Sequence, residues 1–243
     1  MSAALVAAKF ALGPVLLPQA KWVQRNALRL PEAAGPRQGV VGEGEPKLRV
    51  LVVGDSSAAG VGVADQAQAL ALPLAKEVST RIGGAVAWHL VAQTGIGSAE
   101  AIDLVTRSDI QRPDVAVIVL GVNDVTSQTG AAHFIANLGR LVKVIGASRT
   151  VFSGLPPMHL LSAVPHPLRW YLGKYSAWLD AALRVWCAAE HLGYCSSDWS
   201  TDPRMLAEDG YHPGAALYPQ WAARLAEVVA SPVRPELVEG LGS

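Results

Sequence analysis

The sequence predicts a three-layer αβα sandwich built on a five-stranded parallel sheet. Unbroken runs of apolar, largely β-branched residues at 48–53 and 114–120 are one observation behind this reading, and apolar residues at helical spacing between such runs are another. The third is that short polar segments containing glycine follow the strands. A strand buried on both faces has no polar alternation, because helices cover both sides of a parallel sheet. Strands alternating with helices at this spacing form βαβ units joined by crossovers.

Each element has its own justification. LRVLVV, residues 48–53, ends in Gly54 and reads as the first strand. Residues 66–82 follow with Ala, Leu and Val at helical spacing, Pro73 as a kink and Gly83-Gly84 as a stop. VAWHLVA at 86–92 is the second strand, residues 98–107 a short helix, and DVAVIVL at 114–120 the clearest buried strand. In 131–147, Phe134, Ile135, Leu138, Leu141, Val142 and Ile145 share one helical face. TVFSGL at 150–155 is a fourth strand, 167–192 a long helix, 193–196 a weak fifth strand, and the last helix starts after Pro213.

The ends of the chain read differently. The amino terminus, MSAALVAAKFALGPVLLPQAKW, is apolar but carries Lys9 in its middle and Pro14 soon after. No run in it reaches the roughly 20 apolar residues of a membrane span, and a signal peptide carries its positive charge ahead of the apolar core. Three readings of residues 1–20 stay open: a helix packed on the body, an interfacial helix in peripheral contact with a membrane, or an atypical secretion signal. Residues 31–46, PEAAGPRQGVVGEGEP, read as a linker. The expected organisation is therefore an amino-terminal segment with linker at 1–46, one domain at 47–231 and a flexible tail at 232–243.

Composition narrows the function classes. The 243 residues are 51% hydrophobic and 16% charged, with mean hydropathy +0.27, against about 25% charged in an average globular domain. This points to a large buried fraction. Twenty basic and 20 acidic residues balance to a net charge of +0, and without a polybasic run no nucleic-acid partner is expected. Cys187 and Cys195 are too few for a disulfide framework and lack companions for a zinc site, so both are expected to be buried thiols. No metal or organic cofactor is expected. The cytoplasm is the expected compartment, with membrane association or secretion as the alternatives attached to residues 1–20.

In an open α/β sheet, ligands bind beyond the carboxyl ends of the strands, where the strand order reverses. The segments there are Gly54-Asp55-Ser56-Ser57, Gln93-Thr94-Gly95-Ile96-Gly97 and Gly121-Val122-Asn123-Asp124, with Asp209-Gly210-Tyr211-His212 before the last helix. Ser56, at a predicted strand-to-helix turn, suits a nucleophile whose own N–H lies free at a helix start. His212 can act as its base, with Asp209 three residues earlier holding the imidazole. The Asn123 amide and the Gly95 N–H can complete an oxyanion hole. Each segment alone has a plainer reading: Asp55-Ser56 as a helix cap, Asn123-Asp124 as an Asx turn, Asp209-Gly210 as a turn pair. Their joint appearance at one sheet edge favours the catalytic reading. Asp55 and Asp124 are read as carboxylates bonding turn N–H groups rather than as a metal site or a glycosidase pair. His89, His133, His159, His166 and His191 lack an Asp three residues before and read as ordinary, with His159 also open to a separate pocket reading.

These four segments, reading VVGDSSAAG, AQTGIGS, LGVNDVT and DGYHPG in this order, resemble the blocks of the SGNH (GDSL-type) hydrolase family over residues 47–230. The resemblance implies a flavodoxin-like sheet and ester hydrolysis through an acyl-enzyme. It assigns Ser56 as nucleophile, Asp209 and His212 as acid and base, and the Ser56 N–H, Gly95 and Asn123 as oxyanion donors. Ser57 stands where the family's eponymous leucine would be, and the second block lacks its usual leading Asn, leaving Gly97 as an alternative to Gly95.

LPPMHLLSAVPHPLRWYL, residues 155–172, follows the fourth strand at the same edge. Met158, His159, Leu160 and Leu161 are the candidate acyl-pocket residues, with core packing as the alternative. Trp170, Trp178 and Trp186 recur at eight-residue steps, which suits packing along one helix face better than a polysaccharide platform. The expected substrate is a small acyl ester. Thioesters and sugar O-acetyl groups are the alternatives within the family, and a catalytically silent membrane-associated binding protein is the alternative outside it. The sequence carries no signal for oligomeric state.

Overall fold

A computed structural model describes residues 3–197 and 202–231. The expected tail at 232–243 lies outside the described residues.

The chain forms α1 (Ala3–Asn26), β1 (Gln38–Val41), β2 (Leu48–Gly54), α2 (Ala71–Ile82), β3 (Val86–Ala92), α3 (Ser98–Arg107) and β4 (Val115–Val119). It continues with α4 (Val122–Thr126), α5 (Ala131–Ile145), β5 (Arg149–Ser153), α6 (Leu168–Ala189), β6 (Gly193–Cys195) and α7 (Leu217–Ala230). The sheet order is β1-β3-β2-β4-β5-β6. The last five strands are all parallel, in the flavodoxin-like order, with the reversal between β2 and β4.

Strand residues alternate between two apolar layers, as a pleated strand covered on both faces requires. Val50 and Val52 of β2 and Val115 and Val117 of β4 join one cluster together with Leu74 and Val78 of α2 and Leu225 of α7. Leu51 and Val53, Ala116 and Ile118 point the other way, into a cluster with Ile102 of α3, Leu138 of α5 and Leu179 of α6. Both cysteines are buried free thiols. Burial, with Asp180 nearby, pushes the Cys187 thiol up to about 12.

Two expectations need correction. The stretch 31–46 is more than a linker, because Gln38–Val41 pairs antiparallel with β3 as a sixth, edge strand. An exposed strand of four residues with no buried face carries no hydrophobic period, so its sequence gave no strand signal. The first helix of the domain begins at Ala71, five residues later than the periodicity suggests. Pro73 is its third residue, where the missing N–H costs no helical hydrogen bond, so it marks a helix start rather than a kink. Of the three readings of residues 1–20, the helix packed on the body is the one with visible contacts, since α1 lies against α6: Leu5 and Leu16 are buried, and the Gln19 side chain donates to His166 O (2.6 Å) and accepts from Leu168 N (3.1 Å). No helix among the described residues is long and apolar enough to cross a membrane.

Candidate active site

The site lies at the strand reversal. Beyond β2, Ser56 is not at a helix start as the sequence suggested. Residues 55–62 form consecutive turns, with Ala59 N bonded to Asp55 O (2.9 Å) and Val61 N to Ser56 O (3.0 Å). The left-handed backbone of Gly60 and Gly62 stops this coil from continuing as a helix. Ser56 is 8% exposed, and among the described residues its N–H has no intramolecular partner.

The histidine reaches this serine from far along the chain. A Cβ at Gly62 would stand 2.3 Å from the Pro213 carbonyl, so only glycine lets the 205–214 loop approach the serine turn. The Tyr218 hydroxyl, at the start of α7, reinforces the approach by donating to Ser57 O (3.0 Å) and Val61 O (2.8 Å). His212 Nε2 then lies 2.8 Å from Ser56 Oγ, and His212 Nδ1 lies 2.6 Å from Asp209 Oδ2. The other Asp209 oxygen accepts from the backbone N–H groups of Tyr211 (2.9 Å) and His212 (3.0 Å). Burial works against the Asp209 carboxylate, but the bonds from the His212 ring and these two amides outweigh it and hold its pKa below the ordinary range.

The loop after β3 separates the two glycine alternatives. Gly97 N donates to Glu100 Oε2 (3.0 Å) as part of the α3 cap. Gly95 sits at φ +84 in a turn, and among the described residues its N–H has no intramolecular partner. Asn123, in the first turn of α4, donates from Nδ2 to Ile96 O (2.9 Å) and faces Asp55 Oδ2 at 3.4 Å, a long contact.

The two extra carboxylates bond turns, as expected. Asp55 Oδ1 accepts from Ser57 N (3.0 Å). Its near-complete burial pushes its pKa up to about 6, with partial relief from the Ser57 amide and from His212. Asp124 accepts from Ser98 N and Ser98 Oγ. No group of three or more potential metal ligands is found among the described residues.

A mostly apolar cavity adjoins the site. Asp55, Ser57, Met158, Leu160, Leu161 and Tyr211 contribute to its lining, together with Leu217 and Trp221 of α7. His159 does not: its side chain is exposed and its backbone packs on Gly173 of α6. The two inner tryptophans of α6 pack as expected, Trp186 edge-on to Phe152 and Trp178 edge-on to Tyr175, while Trp170 is 40% exposed.

Two contributors to the site were missed in the sequence. Tyr218 looks like any core aromatic at a helix start. Glu32, in the supposed linker, accepts from Thr94 N and Thr94 Oγ1, both at 2.7 Å. No local pattern could have signalled a bond between residues 62 positions apart.

An open, mostly parallel sheet carrying a hydroxyl, an imidazole and a carboxylate in series at its reversal point has the arrangement of a serine hydrolase. The chain belongs to the GDSL-like lipase/acylhydrolase family, whose family model matches residues 52–228. A curated relative, the GDSL-like esterase Rv1075c of Mycobacterium tuberculosis, is 27% identical over 208 residues, or 80% of this chain and 64% of the relative. The chain thus spans slightly under two thirds of that relative's length. The psychrotrophic esterase EstA from Pseudoalteromonas sp. superposes with a TM-score of 0.56 at 17% identity, over 75% of this chain and 97% of that one. A lipase/acylhydrolase from Enterococcus faecalis does so with a TM-score of 0.56 at 21% identity, over 75% and 95%. These two share the fold.

Proposed function

We propose that this protein hydrolyses carboxylic esters through an acyl-enzyme formed on Ser56. The observation that carries the proposal is the unbroken series from Asp209 Oδ2 to His212 Nδ1 (2.6 Å) and from His212 Nε2 to Ser56 Oγ (2.8 Å).

Ser56 Oγ attacks the acyl carbon while its proton passes to His212 Nε2. Asp209 stays ionised, keeps Nδ1 protonated and stabilises the imidazolium that forms. The tetrahedral oxyanion is held by the N–H groups of Ser56 and Gly95 and by the Asn123 amide, whose long contact with Asp55 the oxyanion replaces. The bond to the leaving oxygen breaks, and the His212 proton goes to that oxygen, releasing the alcohol. Water then attacks the acyl-enzyme, gives its proton to His212, and the carboxylic acid departs as the proton returns to Ser56. Gly95 is preferred to Gly97 because the Gly97 N–H is already bonded to Glu100.

The apolar lining from Met158, Leu160, Leu161, Leu217 and Trp221 supports a hydrocarbon acyl group as the part bound in the cavity. The test is hydrolysis of p-nitrophenyl esters from acetyl to palmitoyl by the wild-type chain and by Ser56→Ala. Activity that disappears with the serine is expected. A folded wild-type chain inactive on every ester would overturn the proposal.

A further inference from the structure

We propose that Glu32 and Arg37, in the segment ahead of the sheet, are positioning residues for the Gly95 N–H. The proposal rests on the reading of Gly95 as an oxyanion donor. Glu32 Oε1 accepts both the backbone N–H and the hydroxyl of Thr94, the residue directly before Gly95. The other Glu32 oxygen pairs with Arg37, whose Nη1 donates to Ala92 O at 2.6 Å. One ion pair therefore grips the chain on both sides of Gln93, just where β3 ends and the donor turn begins. The same arm is stitched to the serine turn: Ala33 N bonds Ala59 O, and the buried Gln66 side chain bonds the carbonyls of both Ala33 and Ala59. It thus couples the serine turn and the Gly95 turn, which β2 and β3 carry separately. A half-exposed ion pair of this kind adds only modest stability by itself. Its value here is geometric, since a misplacement of about 1 Å at a catalytic group can cost about 100-fold in rate.

The experiment compares Glu32→Ala and Glu32→Gln with the wild-type full chain. It reads kcat and KM on p-nitrophenyl butyrate, thermal stability, and deuterium exchange of peptides spanning residues 92–97. Glu32→Ala is expected to lower kcat about ten-fold or more with KM within about two-fold, and to speed exchange at Thr94. Glu32→Gln keeps an oxygen for Thr94 and is expected to recover most of kcat. Unchanged kcat in Glu32→Ala, or equal losses in both variants that track stability alone, would overturn the positioning role. A wild-type chain without Ser56-dependent activity would instead overturn the esterase reading on which the role depends.

A separate observation concerns α1, which is apolar on two faces of which the protein covers one. Leu5 and Leu16 are buried towards the body, with Leu12 and Val23 packed beside them. The outer side exposes Phe10 (77%), Leu17 (66%) and Trp22 (56%). Lys9, Lys21, Arg25 and Arg29 lie in the same stretch, and no acidic residue precedes Glu32. Exposed apolar and aromatic side chains in a stretch that carries cations and no carboxylate complement an anionic lipid surface. We infer that this face rests on anionic membranes.

Flotation of the full chain with phosphatidylcholine vesicles, with and without phosphatidylglycerol, tests this. Binding to the anionic vesicles alone is expected. It should be weakened by salt and lost in Phe10→Ala/Leu17→Ala/Trp22→Ala, which should still hydrolyse a soluble ester. Absence of flotation with either vesicle would overturn the inference. So would a dimer in solution that the triple substitution dissociates, since a second copy would then cover the face.

Discussion

Asp124 holds Ser98 by two groups at once, accepting its hydroxyl at 2.6 Å and its backbone N–H at 2.9 Å. Ser98 opens α3 directly after the Gly95 loop, and Asp124 is the neighbour of Asn123, so the pair locks two loops from different strands into one register. Asp124→Ala would leave a buried amide and hydroxyl without their acceptor, at a cost of about 2–3 kcal/mol. A urea midpoint lowered accordingly, together with reduced ester turnover, is expected; an unchanged midpoint would remove the pair from the account of the site.

Ser56 and Asn123 are assigned different work, and their variants should differ in kind. Removing one oxyanion donor costs about 10²–10³ in turnover. Asn123→Ala should therefore keep measurable activity, while Ser56→Ala should lose nearly all of it. Steady-state kinetics on one activated ester, with both variants shown to be folded, checks this. Equal and near-complete loss in both would contradict the separate roles.

Asp55 makes folding stability depend on pH in an unusual direction. Burial raises its folded pKa to about 6 from an ordinary 3.8. Between these values the folded protein retains a proton that the unfolded chain has released, so this group's contribution weakens as pH rises from about 4 to about 6. Across that window the stability of the wild type relative to Asp55→Asn should fall by on the order of 2–3 kcal/mol. Paired urea titrations at several pH values measure the difference, and a flat difference would sink the assignment.

The apolar cavity beside Ser56, read as the acyl pocket, gives a chain-length prediction. Leu160 and Leu161 line it, so truncating both to Ala should deepen it and move the preferred p-nitrophenyl ester towards longer acyl groups. Lowered stability with an unchanged length profile would mean that these residues only pack the core.

The sequence by itself determined the strands that helices cover on both faces, β2 to β5, because two-sided burial leaves unbroken apolar runs. It also determined the polar segments around Ser56, Asn123, Asp209 and His212, because turns at a sheet edge draw on a small set of residue types. Only the tertiary structure decided which groups meet. Edge strand β1 has no buried face to give it a period. Tyr218 and the 205–214 loop pack on the serine turn from far along the chain, and His159 turns outward because its backbone packs on α6. The Gly97 N–H is taken up by Glu100 while no such bond holds the Gly95 N–H among the described residues, and the grip of Glu32 on Thr94 joins residues far apart in the chain. Local periodicity records how much of an element is buried, whereas a hydrogen bond between distant segments depends only on where the fold brings them together.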